Sequence, residues 1–306
     1  MSVSQKSQLA GAGLALLATI IWSANFIIAR AVIHSIPPFS LSFFRWLCAA
    51  IVILPFSFRK IYEERTALIQ NWKYLFWTAL WGITLFNTFI YIGGHYTTAT
   101  NLALIGSTSS PIISIILARI FLKEQIGWLK FFGMLLCITG VLILLSRGEW
   151  HNLVNFHFGA GDKWILLGAA CFAVYNIFTR KKPTAISGIS FLTIIFSLGS
   201  VLLIPFYIWD VAHAAPVKWS ANLVYIILFL GIGSSVIAYL LWNEAIHRLG
   251  AGLTAIFGSL LPIFSSIEAA VILNESFTWV HAIGMFVVFG GILLANLKLL
   301  KVTGNS

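Results

Sequence analysis

Long apolar runs dominate this chain, and their length is the feature that most restricts its fold. A helix needs about 20 apolar residues to cross a bilayer, whereas a barrel strand needs only about 9–11. The runs here are of helical length, and they do not alternate polar with apolar residues as barrel strands do. We therefore predict an all-α polytopic membrane protein with ten transmembrane helices. The predicted spans are 11–33, 39–58, 73–93, 101–122, 126–146, 163–180, 188–209, 222–243, 252–273 and 277–299.

Composition excludes a soluble protein. Only 9% of the 306 residues are charged, against about 25% in a soluble domain. The net charge of +10 raises the question of nucleic-acid binding, but the basic residues stand singly at the ends of apolar runs and form no basic face. We expect the lipid bilayer, and no nucleic acid, among the partners. Cys48, Cys137 and Cys171 lie inside apolar runs, so we expect neither a disulfide framework nor a metal site.

The distribution of lysine and arginine predicts the orientation, because cytoplasmic loops carry an excess of both. With a cytoplasmic N-terminus, fourteen basic residues fall on the inner side and three on the outer side. We therefore predict that both termini are cytoplasmic, in a bacterial inner membrane, and leave a monomer and a homodimer open. Arg30 and Arg45 lie inside spans toward the outer side. No basic residue is thus expected at mid-depth.

The two halves of the chain repeat each other at an offset of 151 residues, which needs no gap across residues 74–145. The segment "FLKEQIGWLKFFGM" (121–134) recurs as "ILNESFTWVHAIGM" (272–285), and matching residues hold this register across three predicted helices. Each copy contains five predicted helices, so the second copy enters the membrane from the opposite side. We predict two inverted repeats, 1–150 and 151–306. This architecture is typical of secondary transporters, with the substrate site between the repeats.

A motif present in both copies resembles a known transporter family. Each copy has a proline inside a helix, followed by a glutamate, a tryptophan and two glycines. The residues are Pro111, Glu124, Trp128, Gly133 and Gly140, and then Pro262, Glu275, Trp279, Gly284 and Gly291. This pattern resembles the EamA-type family of the drug/metabolite transporter superfamily, over the whole chain. The resemblance implies transport of a small organic metabolite without ATP, with no cofactor, and amino acid exporters are the closest type.

The two prolines mark the first part of a predicted binding site. Proline lacks an N–H group and clashes with the preceding turn, so Pro111 frees the carbonyl of Ser107 and Pro262 frees that of Gly258. Ser259 stands beside the second freed carbonyl. Matched interruptions in the two halves point to a transporter site. Helix kinking and close packing of small residues are the alternative.

Polar and aromatic side chains inside other spans supply the remaining candidates. They suit a cavity that is mostly apolar and forms hydrogen bonds in places. An interfacial aromatic belt and hydrogen bonding between helices by the amides are the alternatives. The predicted binding residues are Trp22, Asn25, Trp81, Thr84, Asn87, Tyr91, Tyr175, Asn176, Ser235, Tyr239 and Trp242.

Three glutamates are considered separately. Glu268 lies inside the ninth span, and a charge within the membrane is a functional candidate by default. We consider it for ion coupling, with a pairing to Arg45 or simple snorkelling as the other readings. Glu124 and Glu275 fall in turns, where we expect each to stabilise the N-terminus of the following helix.

These observations favour a secondary transporter that works by alternating access. An enzyme would need a nucleophile with its base or a metal cluster, and the chain contains no H-E-x-x-H, G-x-S-x-G or P-loop motif. A passive channel is an alternative, as is transport of a drug, a nucleotide-type solute or a quaternary amine. We predict a neutral or aromatic amino acid as substrate, because the interior is rich in aromatic and amide groups. Backbone dipoles and the asparagine amides would then meet its charged ends.

Overall fold

The chain folds into a bundle of long helices. The computed structural model describes residues 3–32, 34–96, 99–146, 149, 151–154, 159–272 and 279–301, and no strand occurs among them. The short helices Arg65–Gln70 and His151–Val154 lie in connections. The long helices are α1 Val3–Ala31, α2 Pro38–Glu63, α3 Trp72–Tyr96, α4 Ala99–Phe121, α5 Trp128–Ser146, α6 Ala160–Arg180, α7 Gly188–His213, α8 Ala221–Leu249, α9 251–272 and α10 Trp279–Lys301.

Five of these helices, α1, α2, α3, α7 and α8, are long and apolar enough to cross a membrane. The apolar parts of α4, α5, α9 and α10 are shorter within the described residues. The protein is therefore an all-helical polytopic membrane protein. The count of ten spans stays a prediction.

The first helix of each half packs against the other half. Helix α1 lies against α8 and α9, and α6 lies against α3 and α4. Exchanging the two halves converts one arrangement into the other, as expected for repeats related by a two-fold axis. The halves are therefore interlocked, and the centre of the bundle is built from both.

Helices α2 and α7 occupy equivalent places in the two halves and run in opposite directions. Near the end of α7, Asp210 accepts hydrogen bonds from the backbone N–H (2.7 Å) and the hydroxyl (3.0 Å) of Ser40, in the first turn of α2. Just after α2, Glu64 accepts hydrogen bonds from the backbone N–H (2.9 Å) and the hydroxyl (3.1 Å) of Ser187, the N-cap of α7. An anionic group satisfies free N–H groups at a helix start. Asp210 of α7 thus caps the start of α2, and Glu64, which directly follows α2, caps the start of α7.

The motif glycines bring α5 and α10 into close contact. A Cβ atom added at Gly133 would lie 2.6 Å from the carbonyl oxygen of Gly291, and one added at Gly140 would lie 2.8 Å from that of Gly284. Small residues let two membrane helices approach this closely. Gly133 and Gly140 match Gly284 and Gly291 in the repeat. The contact is therefore reproduced when the halves are exchanged.

The position of Glu124 corrects one expectation from the sequence. Its carboxylate accepts hydrogen bonds from the backbone N–H groups of Ala251 (3.1 Å) and Gly252 (3.4 Å). It thus stabilises the N-terminus of α9, in the other half, and not that of the following helix α5. Gly250 turns the chain into α9 at φ +91°, a conformation that favours glycine. Glu275 lies outside the described residues.

A π-helical segment interrupts the third helix of each half, a feature that the sequence analysis does not predict. The segments are Leu80–Leu85 in α3 and Phe229–Ile237 in α8, and they overlap at the repeat offset. Hydrogen bonding from residue i to i+5 is rare in proteins as a whole. Where it occurs, it is frequently at a functional site. Helix α9 contains a 3-10 segment, Phe257–Leu260, just before Pro262, whereas α4 keeps its α-helical pattern through Pro111. The matched irregularities therefore lie in α3 and α8.

Candidate functional site

Arg45 lies at the centre of a polar cluster built from four helices. It is the eighth residue of α2 and is 1% exposed. Its Nε atom donates to the hydroxyl of Ser235 on α8 at 2.8 Å. Its Nη1 atom donates to Asn87 Oδ1 (2.9 Å) and the Tyr91 hydroxyl (2.8 Å) on α3, and lies 3.4 Å from Asn25 Oδ1 on α1. We call these five residues the guanidinium cluster.

All hydrogen-bond partners of Arg45 among the described residues are neutral. The ion pairs found there join other residues and leave this guanidinium without a carboxylate. A buried charge without a counter-ion is costly, and the neutral acceptors offset part of this cost. The positive charge of Arg45 is therefore not paired with a carboxylate among the described residues. A basic residue thus lies buried among the helices, which the sequence analysis does not expect, and the pairing of Arg45 with Glu268 considered there does not occur.

An aromatic cluster adjoins the guanidinium cluster. Its members are Trp22, Trp46, Phe172, Tyr175, Phe196, Tyr239 and Trp242, and none is more than 8% exposed. The ring of Tyr239 is central, because its centroid lies 5.3–5.8 Å from four other rings of the cluster. Most of these contacts are edge to face, a favoured geometry. The guanidinium carbon of Arg45 lies 4.8 Å from the centroid of Trp46, within the range of a cation–π contact.

Carbonyl groups of the two π segments hold these clusters in place. The carbonyl oxygen of Ser234 accepts hydrogen bonds from Trp22 Nε1 (2.8 Å) and Arg45 Nη2 (3.2 Å). The carbonyl oxygen of Gly82 accepts one from the Tyr239 hydroxyl at 3.3 Å. In a π segment the backbone hydrogen bonds join residues i and i+5, whereas in an α-helix they join residues i and i+4. Here, carbonyls in both segments receive side-chain donors of the site.

Two amides fix the far side of the aromatic cluster. The Tyr175 hydroxyl donates to Asn243 Oδ1 at 2.6 Å. Trp242 Nε1 donates to Asn176 Oδ1 at 2.9 Å, and Asn176 Nδ2 donates to Ser114 Oγ at 3.3 Å. Asn176 therefore links α4, α6 and α8 while it lies beside the rings. Asn176 thus forms hydrogen bonds between helices and also contacts the aromatic cluster through Trp242.

Several buried donors, in the two clusters or on residues bonded to them, have no acceptor among the described residues. They are Trp46 Nε1, Asn87 Nδ2, Ser234 Oγ and Asn243 Nδ2. Roughly 90% or more of buried polar groups find a partner, so each unpaired group needs an explanation. All four groups carry hydrogen and can donate. The centre of the protein therefore offers more donors than its own acceptors can satisfy.

Nine of the residues predicted from sequence belong to the two clusters or, in the case of Asn176, accept a hydrogen bond from a cluster residue. They are Trp22, Asn25, Asn87, Tyr91, Tyr175, Asn176, Ser235, Tyr239 and Trp242. Tyr91 and Trp242 are 4% and 1% exposed, so the interfacial-belt alternative is wrong for these two. Their place is the protein interior, where they donate or accept hydrogen bonds.

Other predicted residues lie elsewhere. The Thr84 hydroxyl donates to the carbonyl of Gly199 on α7 at 3.4 Å. Trp81 is half-buried, and no ring contact among the described residues joins it to the aromatic cluster. Ser259 is buried and Gly258 half-buried in the 3-10 segment of α9. The side chain of Ser107 lies outside the described residues.

Sequence reasoning missed five members of the site. They are Arg45, Trp46, Phe172, Phe196 and Asn243. The arginine and Asn243 offered a signal, since polar side chains inside apolar runs are rare and tend to face the protein interior. The aromatic residues offered none, because the same residue types also face lipid.

Glu268 lies next to the site, in contact with α1. It is half-buried on α9, and one of its oxygens accepts a hydrogen bond from the Ser23 hydroxyl at 2.6 Å. Its second oxygen, Oε2, is buried and has no hydrogen-bond partner among the residues that the structure describes. Ser23 directly follows Trp22 in α1. The carboxyl group is therefore attached to a helix that lines the aromatic cluster.

Comparison with known proteins shows relatives over nearly the whole chain. An uncharacterized transporter of Archaeoglobus fulgidus is 28% identical over 284 residues, which cover 92% of this chain and 96% of that protein. The uncharacterized transporter YetK of Bacillus subtilis is 28% identical over 287 residues, covering 92% and 85%. A chloroplastic WAT1-related protein of Arabidopsis thaliana is 25% identical over 281 residues, covering 90% and 66%.

Fold and family comparisons agree with these relatives. A protein of known crystal structure matches at a TM-score of 0.77 and 17% identity, over 97% of this chain and 98% of its own, which shows a common fold. The model of the EamA-like transporter family matches residues 9–146 and again residues 159–297. The family unit thus occurs twice, as the internal repeat predicts. This chain belongs to the EamA-like transporter family.

Proposed function

We propose that the protein exports a neutral or aromatic amino acid by alternating access, and that the substrate binds between the guanidinium and aromatic clusters. Family membership establishes a membrane transporter. The observation that supports this substrate class is the aromatic cluster, edged by amides and hydroxyls and placed where the two halves meet. Inverted-repeat transporters bind their substrates at such an interface.

The size and chemistry of the aromatic cluster support a substrate with an apolar or aromatic part. Each favourable ring pair contributes about 0.5–1.5 kcal/mol beyond the burial of apolar area. Tyr175, Tyr239 and Trp242 can each present a ring while their polar ends stay hydrogen-bonded to protein. A sugar phosphate fits poorly, because one guanidinium cannot match its two negative charges and the rest of the site is neutral.

The contacts between α2 and α7 support alternating access. In this conformation the side chains of the two clusters are at most 8% exposed, so the site is closed. The Asp210–Ser40 contact ties these helices at one end, and the Glu64–Ser187 contact ties them at the other. Release of one contact at a time would open the site to one side of the membrane and keep it closed to the other.

Glu268 is our candidate for coupling transport to protons. Its unpaired buried oxygen and its bond to Ser23 place a protonatable group one residue from Trp22. Glu268→Gln should abolish amino acid accumulation driven by a pH gradient, while exchange of substrate across the membrane at equal pH continues. Accumulation that is unchanged in the variant would remove Glu268 from the coupling step.

Transport by purified protein in liposomes tests the main proposal. Labelled phenylalanine and leucine should enter by saturable uptake and should show counterflow, which a passive channel does not. Trp22→Ala and Asn176→Ala should each weaken uptake, and the expectation that Trp81→Ala does so is tested in the same series. Trp77→Ala, which removes a ring that is 47% exposed, is the matched control. Robust transport of a phosphorylated sugar without competition from any amino acid would overturn the proposal.

A further inference from the structure

We propose that Arg45 binds the carboxylate of the transported solute and thereby determines specificity, so that a solute without a carboxylate is rejected. The inference rests on the proposed function and names the chemical group that the site selects. It assigns a role to Arg45, which is not among the residues that match between the repeats, is not part of the family motif and is not next to either helix proline.

The first support is the uncompensated charge. Arg45 is 1% exposed, and its partners among the described residues are three hydroxyl or amide side chains, the more distant Asn25 amide and the Ser234 carbonyl. None of these neutral groups cancels the charge of the guanidinium. An anion that enters the site from water recovers a charge–charge interaction in a poorly solvated place, where it is strong. A cationic solute meets repulsion at the same point.

The second support is the set of unpaired donors beside the guanidinium. Trp46 Nε1 and Asn87 Nδ2 have no acceptor in the described part of the chain, and both residues contact Arg45 directly. Nη2 carries two N–H groups, and its one described hydrogen bond goes to the Ser234 carbonyl. A carboxylate brings two oxygens with about four acceptor positions and no donor. It is therefore the group that satisfies these donors and the charge together.

The third support is an asymmetry between the repeats. When α2 and α7 are aligned on their first residues and on their internal prolines, Pro55 and Pro205, the residue at the position of Arg45 is Ile195, which is fully buried. The ring of the next residue, Phe196, lies 5.0 Å from that of Trp46 and 5.8 Å from that of Tyr239. The two-fold related positions thus form a cationic pole and an apolar pole. A solute with a carboxylate at one end and an apolar group at the other has one preferred orientation between them.

An arginine that only links helices would show the same hydrogen bonds, so the test measures specificity. The purified wild-type protein is titrated with four probes, and binding is followed by tryptophan fluorescence because three tryptophans belong to the site. The probes are phenylalanine, phenylalanine amide, 3-phenylpropionate and phenylethylamine. Hydrogen bonds to a charged group are worth about 1.5–3 kcal/mol, so phenylalanine should bind roughly ten- to hundredfold more tightly than its amide. Likewise, 3-phenylpropionate should bind more tightly than phenylethylamine.

The variant arm compares Arg45→Gln and Arg45→Lys with Arg59→Gln. Arg59 is also on α2, but its side chain is 92% exposed and pairs with Glu63, so this control should keep wild-type preferences. Arg45→Gln should reduce the preference for phenylalanine over its amide to within about threefold. Arg45→Lys should retain part of it, since the charge remains but the bidentate geometry is lost. A purely structural arginine would lower the unfolding temperature without changing the ratio.

The outcomes separate this inference from the proposed function. Equal binding of acid and amide by the wild-type protein, preference for the amines, or binding of none of the probes overturns the role of Arg45, whatever the variants do. Carboxylate-selective binding without counterflow in liposomes overturns amino acid transport and keeps the role of Arg45. Selective binding that Arg45→Gln leaves intact while the variant still folds also overturns the inference.

Discussion

Gly82→Ala should damage both the stability of the protein and its substrate site. Gly82 lies in the π segment of α3, and an added Cβ atom would lie 2.1 Å from Cδ2 and 2.7 Å from Cγ of Tyr175. Favourable contacts between carbon atoms begin near roughly 3.5 Å, so the ring must move by more than about 1 Å. Tyr175 is fully buried and bonded to Asn243. It cannot move this far without losing that hydrogen bond.

The expected cost follows from three contributions. Overpacking a core costs about 1–3 kcal/mol, and loss of a hydrogen bond costs about 0.5–1.5 kcal/mol. Replacing glycine by alanine within a helix returns about 0.5–1 kcal/mol. The net destabilisation should therefore be about 2 kcal/mol. If the same displacement weakens substrate binding by that amount, affinity should fall roughly thirtyfold.

The repeat supplies a matched control for this substitution. Gly233 is the equivalent of Gly82 in the π segment of α8, but a Cβ atom there would lie 3.4 Å from its nearest neighbour, the ring of Phe229. Gly233→Ala should therefore keep wild-type phenylalanine binding and gain up to about 1 kcal/mol of stability in thermal unfolding. Adding Tyr175→Leu to Gly82→Ala should recover part of the lost stability, because the clashing ring is gone. Equal unfolding temperatures for the two alanine variants would refute the reasoning.

Three further predictions concern packing, capping and orientation. Gly291→Ala should lower stability by about 1–3 kcal/mol, because its Cβ would lie 2.6 Å from the carbonyl oxygen of Gly133. Gly13→Ala is the control and should not lower stability, because its Cβ would have no neighbour within 4 Å. Equal midpoints of thermal unfolding for the two variants would contradict this. Glu124→Ala should cost about 0.5–2 kcal/mol by removing both hydrogen bonds to the start of α9, and an unchanged unfolding midpoint would count against this role. A periplasm-dependent phosphatase fused to the C-terminus should stay inactive, as the basic residues predict, and its activity would reverse the topology.

Helix positions could be predicted closely because the helices are long and apolar. The predicted span 188–209 compares with Gly188–His213, and the predicted span 39–58 with Pro38–Glu63. The helices extend beyond the apolar runs at their polar ends, where hydropathy gives no signal. The π segments could not be predicted, because i to i+5 bonding depends on backbone geometry and leaves the apolar pattern of α3 and α8 unchanged.

The site could be predicted in part. Polar and aromatic residues inside spans led to Asn25, Asn176 and Tyr239, since such groups are usually retained to contact protein or ligand. Arg45 was assigned to the outer side from its position in the span, which measures depth and carries no information about direction. Glu124 failed for a related reason, because its partner is 127 residues away and belongs to the other half.

Because the halves are interlocked, contacts between them can form only after the second half has been synthesised. Arg45 is synthesised 190 residues before its partner Ser235, which corresponds to roughly 10–40 s of translation at 5–20 residues per second. During that interval, α1 and α2 are in the membrane while α8 and α9 do not yet exist. A nascent chain that ends after the first repeat therefore has Arg45 without its two partners on α8, Ser234 and Ser235, and a face of α1 that is open to the bilayer or to an insertion chaperone. When the second repeat is complete, α8 supplies the remaining hydrogen-bond partners of Arg45 and covers the open face of α1.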